Sequence, residues 1–417
     1  MFAENSVRVA VITSNYWPER TGIGQVTTEF AEYLASRGVD VRVATAKPYY
    51  PEWSIYPGYR RNLWTTEVRN GVTIHRAAHY AAPNPTTFSR IWHEITLCFL
   101  TVPNVIRALR NVKAAFVVSP DLSHAFVGCV LARLLGVPVT LIVQDVMPDA
   151  AIDMGMLTNK LVIGVSRLLA HANYALANTI NTLSHGMKER IARAIPNTDK
   201  IKIVPNTIES GELALGPDQG KIFRDRFVPS GVFAVIHTGN MGEKQDLPLL
   251  LRTARRLITR PDIHFFVFGD GAVKEEFLRV KEAWRLTNVS HYPLQERSLL
   301  PHMLFGADAC LVSQRPEVVD VVVPSKLITA MGAGAMIIAA CSPNSESAKI
   351  IEDSGGGVHI AASDDAALAS ALIRLVNGNI DTAATRGFAR AYAARHFDRA
   401  KTYGAITELL VKRSGPK

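Results

Sequence analysis

Two doubly wound α/β domains of Rossmann-like type, facing each other across a cleft, are what this sequence predicts. Short apolar strands alternate with helical stretches through both halves of the chain. A turn-rich segment at 205–229, with Pro205-Asn206, Gly211, Gly216-Pro217 and Gly220, separates the two runs. Each run also contains a strand that ends in a glycine-bearing loop ahead of a helix. That order presents backbone N–H groups to an anion at the positive end of the helix dipole. Two such units predict a phosphate-bearing ligand held between them.

The first strand is expected at 7–13, where Val9-Ala10-Val11-Ile12 is rich in β-branched residues. A helix follows at 25–37 and a second strand at 39–45, with Gly38 where a helix-ending glycine belongs. Further strands are expected at 72–76, 115–119, 137–143, 179–183 and 201–204, and helices at 88–110, 123–135, 161–175 and 185–193. The alternation then restarts, with strands at 233–237, 263–268, 289–292, 309–312, 335–340 and 357–360. Its helices fall at 246–259, 274–284, 298–305, 325–333, 345–352 and 365–377. The division is therefore a first Rossmann-like domain at 1–205, a linker at 206–230, a second Rossmann-like domain at 231–384 and a C-terminal helix at 385–417. The stretch 385–411 is long and amphipathic, with a break expected near Gly404. It either crosses back to the first domain or closes the second as a terminal helix.

A chain of 417 residues has room for about two or three domains with separate cores. A 48% hydrophobic content excludes wholesale disorder. No apolar run reaches the ~18 residues of a spanning helix, and Met1–Ser6 lacks the basic start and apolar core of a signal peptide. Cys98, Cys129, Cys310 and Cys341 lie far apart without metal spacing, as buried free thiols do. These features together predict the cytoplasm. The net charge of +9 is uneven: through Pro205 there are 21 basic and 14 acidic residues, against 25 and 23 afterwards. A basic first half attracts an anionic substrate or membrane surface. The chain lacks a compact Lys/Arg run with interleaved aromatics, which argues against nucleic acid.

Gly22 and Gly24 lie in the loop after the first strand and permit close backbone approach to a phosphate or sugar. They do not complete a dinucleotide fingerprint: Thr27 stands where a third glycine is needed, and the second strand ends at Thr45-Ala46-Lys47 without a carboxylate. In the second half, Gly239-Asn240-Met241-Gly242-Glu243-Lys244-Gln245 follows a strand. Gly239 and Gly242 permit approach, while Asn240 and Lys244 donate. A lysine ahead of a helix opposes the dipole preference unless a bound anion offsets it; a solvated surface lysine is the alternative. In Pro316–Lys326, Pro324 stops a strand-like run, Ser325 is an N-cap and Lys326 opens a helix. Glu317 and Asp320 can hold sugar hydroxyls or orient the lysines. With the lysines stabilising a departing diphosphate and no Asp-x-Asp pair at a strand end, no catalytic metal is expected. Asp145, just past the strand at 137–143, can orient the acceptor hydroxyl or take its proton; helix capping is its alternative role. The apolar stretch 88–110 reads as a core helix or as an interfacial helix meeting lipid.

The residues Tyr16-Trp17-Pro18-Glu19-Arg20-Thr21-Gly22-Ile23-Gly24, Pro48-Tyr49-Tyr50-Pro51-Glu52-Trp53, Gly239–Gln245 and Val323-Pro324-Ser325-Lys326-Leu327 carry a resemblance. The chain resembles the retaining glycosyltransferases of the GT-B fold (family 4 type), in the branch of colanic acid and exopolysaccharide biosynthesis. The resemblance implies transfer of a sugar, with retention, from a nucleotide diphosphate donor of UDP or GDP type. The implied acceptor is an oligosaccharide on a polyprenyl diphosphate lipid, reached at the inner face of the plasma membrane. No cofactor beyond the sugar donor is implied. The resemblance assigns the acceptor to the domain at 1–205 and the nucleotide sugar to that at 231–384. Carried over by position, Gly22 and Gly24 lie against the donor phosphate or the acceptor, and Lys244 and Lys326 grip the diphosphate. From the residues themselves, Asp145 joins the two lysines in the catalytic set, and Glu317 and Asp320 replace the usual sugar contact. Gly239, Asn240, Glu243 and Ser325 complete the donor site, and Glu19 and His124 contact the acceptor. His124 is the nearest counterpart of the family's active-site histidine, with a helix-capping or core role as its alternative. The sequence departs from the broader superfamily at Asn240, where an arginine is usual, and at Val321 and Thr329, where paired glutamates are usual. The rival expectations are a nucleotide-sugar epimerase on the same architecture and a non-catalytic subunit that binds nucleotide sugar or lipid.

Overall fold

The computed structural model of the chain describes residues 7–19, 22–83, 86–208, 217–318 and 325–412. Two compact units result: residues up to Val204 joined by those from Lys401 onward, and Pro205–Ala400.

The first unit runs β1 (Arg8–Ile12), α1 (Gly22–Ser36), β2 (Asp40–Ala46), β3 (Trp64–Arg69), β4 (Val72–Ala77), α2 (Thr87–Leu109), β5 (Ala114–Ser119) and α3 (Leu122–Leu134). It continues with β6 (Val139–Val143), α4 (Asp149–Asp153), α5 (Lys160–Leu176), β7 (Thr179–Thr182), α6 (His185–Ala192) and β8 (Ile201–Ile203). The strand order is β3-β4-β2-β1-β5-β6-β7-β8. Pairing is parallel except at the β3–β4 edge, where Trp64 faces Ala77 in an antiparallel register. The inner strands are buried on both faces, as helix-covered parallel sheets require: Val9, Ala10, Val11 and Ile12 are all inaccessible to solvent.

The second unit runs α7 (Pro217–Phe227), β9 (Phe233–Thr238), α8 (Leu247–Arg256), β10 (Ile263–Phe268), α9 (Lys274–Ala283), β11 (Val289–Tyr292), α10 (Leu300–Gly306), β12 (Ala309–Ser313) and α11 (Ser325–Gly332). It ends with β13 (Ile337–Cys341), α12 (Glu346–Ser354), β14 (Gly357–Ala361), α13 (Asp365–Val376) and α14 (Thr382–His396); α15 (Arg399–Lys412) follows. Its sheet is wholly parallel in the order β11-β10-β9-β12-β13-β14. Leu249, Leu250, Phe265, Leu311, Ile338 and Leu372 fill one continuous core beside it.

In each sheet the winding reverses once, at β1/β5 and at β9/β12. Ligands of open α/β sheets bind in the crevice outside the carboxyl ends of strands at such a reversal. The loops after β1 and β5, and those after β9 and β12, are therefore the places to build sites.

Two expectations need correction. The segment expected as a linker contains α7, which packs on α10 so closely that a Cβ on Gly306 would meet the Gly220 carbonyl oxygen at 2.3 Å. The final stretch breaks at Phe397-Asp398 rather than Gly404, where the Ile208 amide donates to the Phe397 carbonyl and the Arg399 amide to the Ile208 carbonyl. Beyond that break, Tyr403 of α15 lies in the core of the first unit, edge-on to Phe30 at 5.1 Å. The stretch read as a core or an interfacial helix is α2, in which Leu97, Val105 and Ala108 are buried while Phe88, Ile91, Trp92 and Phe99 are exposed.

Candidate active site

The second unit's site is built at the carboxyl end of β9. The chain leaves the sheet through His237 and Thr238 and turns at Gly239, whose φ of +95° suits glycine. The 239–245 loop is pinned against the loop after β10. The Gly239 amide donates to the Phe268 carbonyl at 2.8 Å, the Met241 amide to the Asp270 carbonyl at 2.8 Å, and the Val273 amide to the Met241 carbonyl at 3.0 Å. Gly269 makes this approach possible, since a Cβ there would lie 2.1 Å from the Gly239 carbonyl oxygen. Asp246 then caps α8 by accepting the Leu249 amide at 3.1 Å.

Lys326, in the first turn of α11, sends its ammonium into this loop. It donates to the Asn240 carbonyl at 2.8 Å and reaches Gln245 Oε1 at 3.4 Å and His237 Nε2 at 3.1 Å. An ammonium has only protons to offer, so His237 Nε2 accepts and the imidazole proton resides on Nδ1. Burial pushes the Lys326 ammonium down to about 7. Burial, and then the lysine itself, hold His237 well below its ordinary value. Neutral hydrogen-bond acceptors hold this cation, and no carboxylate among the described residues pairs with it. That is the arrangement that gains most from an incoming anion.

The remaining donor-site expectations fall around this centre to different degrees. Lys244 is half-buried on the same loop, and its carbonyl accepts the Arg315 amide at 3.1 Å. Glu243 is exposed and paired with Arg315 at 3.2 Å, so its charge is shared with a neighbouring cation. Glu317 is exposed in the turn after β12, and Ser325 is exposed at the start of α11. Asp320 lies outside the described residues.

In the first unit the reversal at β1/β5 brings together Ser14 and Asn15 with Asp121. Gly22 opens α1, and Gly24 packs so closely on Glu19 that an added Cβ would meet the Glu19 Cβ at 3.0 Å. Glu19 takes a different place from the one expected. Its Oε1 accepts the amides of Tyr49 at 2.7 Å and Tyr50 at 2.8 Å, and its Oε2 accepts Asn15 Nδ2 at 2.9 Å. At 2% exposure it clips two loops together, with both oxygens engaged by protein donors. Asp145, half-buried after β6, lies near enough to Tyr50 to raise the phenol's proton affinity, second only to burial itself. His124 is buried in the first turn of α3, and burial pushes its imidazole down to about 4.

Sequence reasoning missed several members of these sites. His237 stands 89 residues from the lysine it touches. Gly269 and Gly271 belong to a Phe268-Gly269-Asp270-Gly271 turn directly after a strand, a signal that was available in the sequence. His79, His93, Glu94 and Asp121 come from β4, α2 and β5 connections and share no local spacing.

Comparison with known proteins agrees with this architecture. Residues 21–207 match the family described as Glycosyl transferase 4-like domain, and residues 233–378 match Glycosyl transferases group 1. The chain is a glycosyltransferase of family 4 with the GT-B fold. It is 30% identical over 342 residues, 80% of this chain and 83% of the relative, to WcaI of Escherichia coli (strain K12), named as a proposed colanic acid biosynthesis glycosyl transferase. Among solved structures, Anabaena HepE in complex with UDP-glucose covers 97% of this chain and 99% of its own, with a TM-score of 0.73 and 14% identity. Sucrose-phosphate synthase from Thermosynechococcus elongatus covers 98% and 99%, with a TM-score of 0.74 and 14% identity. The chain thus belongs with glycosyltransferases of colanic-acid-like exopolysaccharide biosynthesis.

Proposed function

We propose that the chain transfers a sugar from a nucleotide diphosphate donor, with retention and without a metal ion, to a lipid-linked oligosaccharide acceptor. The second unit takes the donor and the first takes the acceptor. The observation that carries this reading is the Lys326 ammonium, held by neutral acceptors on the 239–245 loop at the sheet's reversal point. HepE, which shares the fold, binds UDP and UDP-glucose. Each lysine at ~4 Å from a phosphate charge contributes about 4 kcal/mol at an effective dielectric of ~20. That attraction strengthens as the glycosidic oxygen departs with the diphosphate, and such differential stabilisation lowers the barrier. The acceptor hydroxyl attacks on the face the diphosphate leaves, and a departing phosphate oxygen takes its proton.

Titration with UDP and GDP sugars tests the donor half. Lys244→Ala is expected to bind UDP more weakly and to lose about 10²–10³ in turnover with an unchanged melting temperature. Full turnover in that variant, or no nucleotide binding by the native chain, overturns the reading. Epimerised donor formed without acceptor points instead to an epimerase, and nucleotide binding without transfer to any membrane extract to a non-catalytic subunit.

The same reading places the chain on the inner face of an anionic membrane. No described helix is long and apolar enough to cross a bilayer. Phe88, Trp92 and Phe99 on α2, and Leu161 and Leu168 on α5, are exposed apolar side chains on helices that both pack on α3. Exposed Arg90, Lys160 and Arg167 accompany them. Aromatic and basic residues together are what an interfacial surface needs. Co-sedimentation with phosphatidylglycerol vesicles is expected, and is expected to fall sharply in Phe88→Ser/Trp92→Ser/Phe99→Ser. Binding indifferent to lipid charge, or to that triple change, overturns the assignment.

A further inference from the structure

The loops after β1, β2, β4 and β5 enclose a second polar centre whose chemistry is the opposite of the lysine site. Tyr49, Trp53, His79 and His93 form an aromatic wall. Ring centroids lie 4.7 Å apart for Tyr49–His79, 4.9 Å for Tyr49–His93, 5.2 Å for Trp53–His93 and 4.9 Å for His79–His93. Trp53 holds its place with φ of +51°, a strained conformation for a bulky residue. Half-buried Asp121 and Glu94 stand beside this wall.

Asp121 precedes α3 at the N-cap position but does not cap it. Its carboxylate turns instead to accept the Ser14 hydroxyl, forgoing a contact that usually stabilises a helix. Glu94 accepts the Ser123 hydroxyl. Burial raises the proton affinity of both carboxyls; the Asp121 charge adds to the effect on Glu94, and the Glu19 charge to that on Asp121.

The histidines are short of donors. His93 faces the Tyr80 carbonyl with Nδ1 at 2.8 Å; a carbonyl only accepts, so Nδ1 carries the proton and Nε2 is a bare lone pair. Nε2 of His93, at 2% exposure, and both ring nitrogens of His124, at 1%, have no hydrogen-bond partner among the described residues. Burial holds these imidazoles below their ordinary value, so they are neutral. Orphaned polar atoms of this kind are rare in native proteins and mark a missing partner.

We infer that this centre is a sugar subsite, in which Asp121, Glu94 and His93 accept hydroxyl protons of a neutral pyranose and half-buried Trp53 stacks on its C–H face. A surplus of acceptors selects a ligand rich in O–H donors. The same carboxyls repel phosphate, so the subsite takes the acceptor's sugar and not its lipid diphosphate. The inference rests on the proposal that the first unit holds the acceptor and specifies which part of it.

Saturation-transfer NMR on the full chain, with methyl α-glucoside, galactoside, mannoside and fucoside as probes, tests it. At least one hexoside is expected to bind, and Asp121→Asn, Glu94→Gln and His93→Phe are each expected to weaken it about tenfold or more, the range for hydrogen bonds to charged groups. UDP affinity is measured in the same variants, with melting temperatures to establish folding. Neither inorganic phosphate nor geranyl diphosphate is expected to displace the hexoside. Absence of binding by every hexoside, unchanged affinity in folded Asp121→Asn and Glu94→Gln, or displacement by phosphate or geranyl diphosphate overturns the inference. Loss of UDP binding by the native chain with hexoside binding intact defeats the donor reading alone.

Discussion

Replacing Lys326 by methionine is expected to lower turnover about 10²–10³-fold, the usual cost of removing one group that stabilises charge on a leaving oxyanion. The same change is expected to alter stability in a pH-dependent way. Lys326 falls to about 7 in the folded chain, against about 10.4 in an unfolded one. Between those values the unfolded state holds one more proton at this site, so the native protein's stability rises with pH across that window. The cost of burying the charged lysine is fully present below pH 7 and vanishes near pH 10. Methionine has no such cost. The melting temperature of Lys326→Met relative to the native chain is therefore higher at pH 6 than at pH 9, by about 2–4 °C for each kcal/mol of difference. Losing the donor to the Asn240 carbonyl and His237 Nε2 offsets this at every pH alike, so the pH trend isolates the charge. A difference that stays flat with pH removes the buried cation from the account, and near-native turnover removes its catalytic role.

How much of this was legible in the chain depends on the range of the interaction. β1, with its four β-branched or small apolar residues and a polar loop beyond, declares itself locally. So do the lysine after Pro324-Ser325 and the glycine at 239. β3 was missed because Trp64-Thr65-Thr66-Glu67-Val68-Arg69 is an edge strand whose residues alternate between exposed and half-buried and form no apolar run. α2 has the periodicity of a core helix along its whole length. Its sequence cannot say that nothing within the described chain covers Phe88, Trp92 and Phe99. The sugar subsite was hidden for a different reason. Ser14 and Asp121 are 107 residues apart and meet only because β1 and β5 are adjacent strands. Asp121 and Glu19 each look locally like an ordinary acid near a helix start. Burial and partners decide that one is a clip and the other an unspent acceptor.

The substitution Gly269→Ala is expected to cost about 10²-fold in turnover although Gly269 carries no reactive atom. A Cβ at this position lies 2.1 Å from the Gly239 carbonyl oxygen and 3.2 Å from Met241 Cγ. Carbon and oxygen approach to about 3.3–3.6 Å without repulsion, so the two loops must part by roughly 1 Å. The backbone bonds from Gly239 to Phe268 and from Met241 to Asp270 resist that movement. Whatever gives way carries Asn240 with it, and its carbonyl is the 2.8 Å partner of the Lys326 ammonium. A displacement of that size is enough to misplace a catalytic cation. Gly164→Ala, at an exposed position of α5, is the control: nothing lies within 4 Å of its Cβ, and alanine there is expected to be neutral or to stabilise by up to about 1 kcal/mol. If Gly269 acts through the lysine, the two changes are not additive, and Gly269→Ala costs less turnover in a Lys326→Met background than in the native one. A coupling of about 0.5–3 kcal/mol is the range for groups sharing one network. Additive losses, or Gly269→Ala with native turnover, place the loop's contribution somewhere other than the position of that ammonium.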